Sequence, residues 1–170
     1  MKLLLISLFA AYGITTCDAQ TYFSPDQDCL TAINSFADGA QHQLLVADYS
    51  FVDPQLTEEL VKLHQRGVEV RCVFDKTQAG GKAEQVQLAE LKSAGVPYLI
   101  GHSEKDHIMH LKCMIRDGTD VLSGSFNFTS TAELEDNTFD IVLGNVDRTA
   151  LFVTKWNKLW TFFQTQPQPK

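Results

Sequence analysis

The segment HLKCMIRDGTDVLSGSFN, residues 110–127, carries the densest group of reactive side chains and also predicts how this part of the chain folds. It reads as two short strands on either side of Asp117-Gly118, a dipeptide typical of a tight hairpin turn. Side chains two positions apart on a strand lie on the same face, so His110 and Lys112 are expected to project together. On a helix the same pair would point in nearly opposite directions.

The second strand repeats this arrangement with Ser125 and Asn127, and Gly124 allows a ligand to approach the backbone closely. One face is therefore predicted to gather an imidazole, an ammonium, a hydroxyl and an amide. These groups suit attack on a phosphate and neutralisation of its oxygens. Asp117 is open to two interpretations, as a site residue or as the first residue of the turn, and we expect it to support the site rather than to touch substrate.

In template form the segment is HxKxxxxDxxxxxxGSxN, matched without a gap, and a chance match has a probability of roughly 10⁻⁸ per start position. This pattern resembles the signature of the phospholipase D superfamily. The likeness is to the small bacterial Nuc-type endonucleases in particular. It extends over most of the chain, through FSPD, LLVADYSF, RGVEVRCVFD, IMHLKCMIRD and GSFNFTSTAE.

The resemblance implies a two-step reaction that needs no metal and no other cofactor. One histidine attacks phosphorus to form a phosphohistidine, a second protonates the leaving oxygen, and water then releases the product. By this likeness His110, Lys112 and Asp117 are the catalytic motif, with His110 as nucleophile and acid. Lys112 and Asn127 would bind the phosphate, and Ser125 would orient the site. Because the chain holds one copy of the motif, we expect a homodimer with two His110 side chains at a shared site.

The chain departs from the family pattern at one place. Relatives usually carry a Glu on the strand after the GSxN segment, where it steadies the histidine. Here the region reads EDNTFD, residues 135–140, and no Glu aligns cleanly. Either Asp140 substitutes for it, or the histidine lacks this partner.

Hydrophobic periodicity and turn residues predict an α/β fold: a phospholipase D-like domain with a mixed, mostly parallel sheet and helices on its faces. Helices are predicted from Ser24-Pro25, from Asp53-Pro54, and over Gln85–Ala94 and Thr149–Phe163. Strands are predicted over Gln43–Phe51, Val68–Phe74, Pro97–Ile100, His110–Arg116, Val121–Ser125 and Phe139–Leu143. The Trp156 and Trp160 pair has the spacing of a buried helix face, which favours core packing over a ligand platform.

The N-terminus indicates export. Lys2, a short apolar run and small residues up to Ala19 are typical of a secretory signal peptide, so residues 1–19 are predicted to be removed and 20–170 to form one domain. Lipid attachment at Cys17 is an open alternative. We therefore expect a periplasmic or secreted protein with no stable membrane span after cleavage.

Composition limits the function without deciding it. The chain has 14 basic and 21 acidic residues, a formal charge of −7, which argues against bulk coating of nucleic acid. Three hypotheses remain: an endonuclease that cleaves DNA or RNA, a phospholipase D that acts on phospholipid headgroups, and a non-catalytic protein that binds phosphodiesters. The motif alone does not separate the first two.

Two further groups are open to a functional or a plain interpretation. His102, His107 and His110 lie close together in sequence, but no cysteine or carboxylate completes a recognisable zinc spacing, so no metal site is predicted. Lys76 and Lys82 flank Gly80-Gly81 and would either hold a nucleic-acid backbone or belong to a solvated loop.

Overall fold

The computed structural model describes residues 18–168, which build one seven-stranded sheet in the order β1-β7-β6-β5-β2-β3-β4. The strands are β1 Asp18–Ser24, β2 Gln43–Asp48, β3 Glu69–Asp75, β4 Tyr98–Gly101, β5 Cys113–Arg116, β6 Asp120–Gly124 and β7 Asn137–Leu143. The helices are α1 Cys29–Asp38, α2 Pro54–Gln65, α3 Lys82–Ser93 and α4 Val146–Gln164, with a short 3₁₀ helix at Ser130–Leu134.

The α/β class and the mixed sheet are confirmed, but the expectation that the sheet is mostly parallel is wrong. Only β2 with β3 and β3 with β4 run parallel, whereas the other four pairings are antiparallel. The parallel part comes from the strand–helix alternation between residues 43 and 101. Of the antiparallel pairs, only β5 and β6 are joined by a tight turn, whereas β6 and β7 are connected through residues 125–136 and the pairs β1–β7 and β2–β5 join segments far apart in sequence.

The core has two layers, one on each face of the sheet. Helices α1, α2 and α3 cover one face through residues such as Ile33, Leu60 and Leu88. Helix α4 covers the other, where Trp156 is 1% exposed and its indole N–H donates to the Val46 carbonyl oxygen at 2.9 Å. Trp160 stacks on Trp156 with ring centroids 5.1 Å apart, so the prediction of core packing for this pair is confirmed.

The N-terminal part of the described chain differs from expectation in two elements, because strand β1 was not predicted and the first helix begins later than predicted. The first helix does not begin at Ser24-Pro25: Ser24 closes strand β1, and Asp28 caps the helix by accepting the Thr31 N–H at 3.0 Å. The predicted signal peptide lies outside the described residues except for Asp18 and Ala19, which pair with Leu143 and Val142.

The free edge of β4 is covered by two side chains from the end of the chain. The Gln168 side-chain amide accepts the Ile100 N–H at 2.9 Å and donates to the Ile100 carbonyl at 3.1 Å. Gln166 does the same to the N–H and carbonyl of His102 at 3.1 Å each. The two amides thus imitate a neighbouring strand.

Two further properties concern the whole described chain. Among residues 18–168, none of the helices combines the length and the apolar composition that crossing a bilayer requires. Cys29, Cys72 and Cys113 are all buried and free, as expected for small apolar side chains in a core.

Candidate active site

His110 and Lys112 meet beside Tyr49 and Asp75, at the carboxyl ends of β2 and β3. His110 and Lys112 lie in the extended segment just before β5, which is shorter than the predicted strand. The His110 side chain is exposed, whereas Lys112 is 4% exposed. The two side chains come together at Tyr49, the residue after β2, and both contact its ring. The His110 ring lies edge-on to the Tyr49 ring at 4.7 Å between centroids, and Lys112 Nζ lies 5.0 Å from the same centroid.

Backbone contacts hold this segment in place. Lys112 Nζ donates to the His110 carbonyl oxygen at 3.1 Å, and the Lys112 carbonyl accepts the Gly124 N–H at 3.4 Å. The latter bond continues the β5–β6 ladder by one residue pair. The Asp75 carboxylate, at the end of β3, accepts the Met109 N–H at 2.6 Å. The histidine is therefore anchored from both directions along the chain.

The second half of the motif follows β6. Ser125 Oγ donates to Asn137 Oδ1 at 3.0 Å and accepts the Thr138 N–H at 3.1 Å, so this hydroxyl fixes the strand that follows. Asn127 is half-buried, and its Oδ1 is buried without a hydrogen-bond partner. Because Oδ1 is an acceptor, binding of a phosphate oxygen would use the N–H groups of the same amide.

Gly124 is required by close packing. A Cβ at this position would overlap the Thr138 carbonyl oxygen and the Phe139 backbone on β7. The glycine therefore brings β6 and β7 together just before Ser125, rather than making room for a ligand as the sequence suggested.

Buried carboxyl groups lie behind Lys112. Asp48 and Asp75 are 0% exposed and Glu84 is 2% exposed. Asp48 accepts the N–H groups of Tyr49 at 2.9 Å and Phe128 at 3.0 Å, and so joins the end of β2 to the residue after Asn127. Glu84 accepts the Phe51 N–H at 3.2 Å, and its other oxygen has no partner.

These surroundings change the acidity of the site. Burial raises the pKa of Asp48 well above its usual value, and the nearby Glu84 raises it further. Burial also lowers the pKa of Lys112, while the charges of Asp48 and Asp75 oppose that shift. Burial has the largest effect on the pKa of His110 and lowers it. The Lys112 ammonium lowers it further, whereas the Asp75 carboxylate raises it. The imidazole is thus biased toward its neutral form, which has a lone pair for attack.

Asp117 does not join this group. It follows β5, whereas Lys112 precedes it, so the two lie about 16 Å apart along the strand. Its carboxylate accepts the N–H groups of Gln41, His42 and Gln43 at 2.8 to 2.9 Å. Asp117 has a φ of 52°, a conformation that Asp tolerates better than most residues. The structure thus places Asp117 in the β5–β6 turn, where its side chain ties that turn to the segment leading into β2.

Asp140 faces away from the histidine. Phe139 and Ile141 point into the core under α1 to α3, so Asp140, between them, points to the opposite face. There its carboxylate accepts the Thr21 hydroxyl at 2.7 Å. Among residues 18–168, no side chain hydrogen-bonds the His110 ring.

The other residues singled out from sequence lie around the site or outside it. Lys76, directly after Asp75 in the β3–α3 loop, and Lys82, the first residue of α3, are both exposed. His102 pairs with Asp106, Nδ1 to Oδ1 at 3.5 Å. Within residues 18–168, no three His, Cys, Asp or Glu side chains are arranged to hold a metal ion.

Sequence reasoning missed Tyr49, Asp48 and Asp75 as parts of the site. A signal was present, because Asp48 and Asp75 each end an apolar run that forms a parallel strand. Polar residues at the carboxyl ends of parallel strands are where α/β proteins commonly build sites.

Comparison with known proteins defines the class. Residues 33–160 match the family model described as "Cardiolipin synthase, PLD-like domain". The chain belongs to this family of phospholipase D-like phosphodiesterases. Its fold is similar to that of Nuc from Salmonella typhimurium, a phospholipase D family member, with a TM-score of 0.80 and 27% identity, covering 85% of this chain and 95% of that one. NucT from Helicobacter pylori shares the fold at 16% identity and a TM-score of 0.76, covering 85% of this chain and 96% of that one.

Curated relatives show the same family by sequence. A mitochondrial cardiolipin hydrolase of Xenopus laevis is 30% identical over 122 residues, which are 72% of this chain and 56% of that protein. A phospholipase D of Rickettsia bellii is 27% identical over 151 residues, which are 89% of this chain and 71% of that protein. The chain thus spans little more than half the length of the Xenopus laevis relative.

Proposed function

We propose that this protein is a metal-independent phosphodiesterase that works through a phosphohistidine and cleaves DNA or RNA. The observation that carries the proposal is the exposed His110 imidazole beside the nearly buried Lys112 ammonium, both against Tyr49. A nucleophile open to solvent and a charge fixed behind it suit attack on a phosphodiester that arrives from outside.

In the proposed first step a nitrogen of His110 attacks phosphorus, the N–P bond forms, and the bond to the leaving oxygen breaks. Lys112 and the Asn127 amide bind the phosphate oxygens, on which negative charge accumulates. The leaving oxygen takes a proton from His110 of the partner subunit. Water then attacks phosphorus and gives its proton back to that imidazole, and the N–P bond breaks. Ser125 and Asp117 act on the positions of the strands that carry these groups.

The two-histidine scheme requires a homodimer, because the chain has one such motif. Light scattering on the purified protein is expected to give about twice the chain mass at micromolar concentration. An active monomer would contradict the scheme. The predicted signal peptide makes the periplasm or the exterior the proposed place of action.

Nucleic acid is the proposed substrate because of the likeness to small Nuc-type proteins, which extends over nearly the whole domain. The charge of −7 weighs against strong backbone binding by the protein as a whole. In a dimer, two copies of Lys112 and of Lys76, which follows Asp75, would lie near one cleft and add local positive charge there.

Phospholipid is the second candidate substrate. Curated relatives are named phospholipase D and cardiolipin hydrolase. Ile108 and Leu134 are exposed at 44% and 81%, but single exposed apolar side chains are common on protein surfaces, so the names of the relatives carry this candidate.

The test is hydrolysis of single-stranded DNA, RNA and phosphatidylcholine vesicles in EDTA, with His110→Asn prepared in parallel. We expect cleavage of a nucleic acid that survives EDTA and is lost in the variant. Turnover of lipid alone would transfer the protein to the phospholipases with the mechanism unchanged. No turnover, with phosphodiester binding equal in both proteins, would support a binding role and overturn the enzymatic proposal.

A further inference from the structure

Tyr49 touches both of the groups that the proposed reaction depends on. Its ring lies 4.7 Å from the His110 ring, centroid to centroid, with the planes at 67°. The Lys112 ammonium lies 5.0 Å from the same centroid, within the range of a cation–π contact. One aromatic ring therefore sets the position of the nucleophile relative to the phosphate-binding charge.

Tyr49 is itself fixed at both ends. Its backbone N–H donates to Asp48, which is 0% exposed. Its hydroxyl oxygen accepts the side-chain amide of Gln78 at 2.9 Å, from the β3–α3 loop. A side chain held at the backbone and at its tip has little rotational freedom, so it can impose an orientation on its neighbours.

His110 needs such a contact because nothing else orients its ring. Among residues 18–168, the imidazole has no hydrogen-bond partner, and the carboxylate of Asp140 is held on the opposite face by Thr21. The groups that face His110 are Tyr49, Lys112 and Asp75, and Asp75 holds the backbone through Met109 rather than the ring.

We infer that Tyr49 is a positioning residue of this site, whose ring fixes the His110 imidazole in the orientation for attack and provides the π face against which Lys112 is held. This inference rests on the proposed function. It assigns to an aromatic ring the steadying role that the family resemblance gives to a glutamate, which this chain lacks.

Two substitutions distinguish the contribution of the Tyr49 ring from that of its hydroxyl group. Tyr49→Phe keeps both ring contacts and loses only the Gln78 hydrogen bond, whereas Tyr49→Leu removes the ring. Tyr98→Leu is the matched control, because Tyr98 is also half-buried but lies on β4, where its ring packs against Phe74. Thermal melts establish that each variant is folded.

The first readout is kinetic and uses bis(p-nitrophenyl) phosphate in EDTA. For Tyr49→Leu we expect kcat to fall by about 100-fold with KM changed by less than about threefold, because a misplaced nucleophile affects the reaction more than binding. Tyr49→Phe keeps the ring but loses the hydrogen bond at its tip, so its loss in kcat should be much smaller, about tenfold at most, whereas Tyr98→Leu should stay within about threefold of the parent. Equal losses in Tyr49→Phe and Tyr49→Leu would overturn the inference, since the ring is present in the first.

The second readout needs no turnover. The His110 imidazole is titrated by NMR in the full protein labelled at histidine, and its signal is assigned by its loss in His110→Asn. Burial now lowers the pKa of His110, so removing the ring should raise the pKa toward the ordinary value, while Tyr49→Phe, which keeps the ring, should change the pKa less. An unchanged titration in Tyr49→Leu would overturn the inference.

The two readouts separate this inference from the proposed function. A parent protein that hydrolyses none of the phosphodiesters refutes the proposed function. In that case the titration still decides whether Tyr49 controls the environment of His110.

Discussion

The carboxylate of Asp75 accepts the backbone N–H of Met109, the residue directly before the candidate nucleophile His110, at 2.6 Å. Its other oxygen accepts both the N–H and the hydroxyl of Thr77. A single buried side chain at the end of β3 thus joins the histidine segment to the loop that begins at Lys76. The position of His110 depends on a strand far from it in sequence.

Asp75→Asn is expected to reduce both stability and activity. An amide has one acceptor oxygen, so one of the two backbone N–H groups is left facing an NH₂ group. Loss of a buried, charged hydrogen bond should cost about 1–3 kcal/mol in the free energy of unfolding. The released Met109 segment should lower kcat by about tenfold or more. Urea denaturation and turnover of bis(p-nitrophenyl) phosphate measure the two effects, and Asp136→Asn, an exposed position, is the control. Full activity in Asp75→Asn would show that the tether does not position His110.

Asp117→Asn should affect stability alone. Although burial raises the pKa of Asp117, the N–H groups of Gln43, Gln41 and His42 lower it by more, so the folded protein favours the carboxylate. The stabilisation is therefore complete above the unfolded value of about 4 and is lost as the pH falls through the lower folded value. The variant should be less stable than the parent by about 1–2 kcal/mol at pH 7, with the difference shrinking toward pH 3. Denaturation curves at several pH values measure this, and a loss of kcat in the folded variant would contradict a purely structural role.

Gly124→Ala is expected to separate β6 from β7. The added methyl group meets the Thr138 carbonyl and the Phe139 backbone, neither of which can move without breaking strand pairing. Overpacking of this kind should cost about 3 kcal/mol in the free energy of unfolding, and it should displace Ser125. Gly80→Ala is the matched control, because no atom lies within 4 Å of a Cβ there. Equal melting temperatures for the two variants would refute the packing argument.

Glu84→Gln should stabilise the protein at high pH. Burial, with a smaller effect of Asp75, raises the pKa of Glu84 from its ordinary 4.5 to about 8, against the Phe51 N–H. The folded chain therefore keeps this proton at pH values where the unfolded chain has lost it, and stability falls as the pH rises from 4.5 toward 8. Glutamine resembles the neutral acid and avoids this fall. We expect a gain in Tm of about 5 °C at pH 9 and almost none at pH 5, by calorimetry. The exposed Glu135→Gln is the control, and a gain of equal size at both pH values would show that ionisation is not the cause.

The sequence predicted the parts of this protein that depend on local pattern. The spacing of His110, Lys112, Ser125 and Asn127 predicted a shared site, and the structure brings the first two together at Tyr49. Helix α4 was recognisable because Trp156 and its neighbours repeat at helical spacing. The place of Asp117 in a tight turn followed from Asp-Gly chemistry, whereas its hydrogen bonds to residues 41–43 did not.

The remainder depends on contacts between distant segments. Strand β1 is held by pairing with β7 at the other end of the chain, so its own residues carry only a weak signal. The relative directions of the strands were predicted wrongly. Whether two neighbouring strands run parallel depends on how the chain connects them, and the sequence of a single strand does not contain this information. Tyr49 gives no sign of its role in sequence, because its two neighbours, His110 and Lys112, lie some sixty residues away.

The glutamine side chains at the end of the chain have a practical consequence for measurements of association. With Gln166 and Gln168 in place, the backbone N–H and carbonyl groups of Ile100, in β4, and of His102, just after it, are already hydrogen-bonded. In a protein shortened before Gln166, these backbone groups at the edge of β4 would lose their partners, and strands of other copies could pair with them. Such a protein would self-associate through a surface that the intact chain keeps closed, and its mass in solution would no longer report on the contact between two catalytic sites.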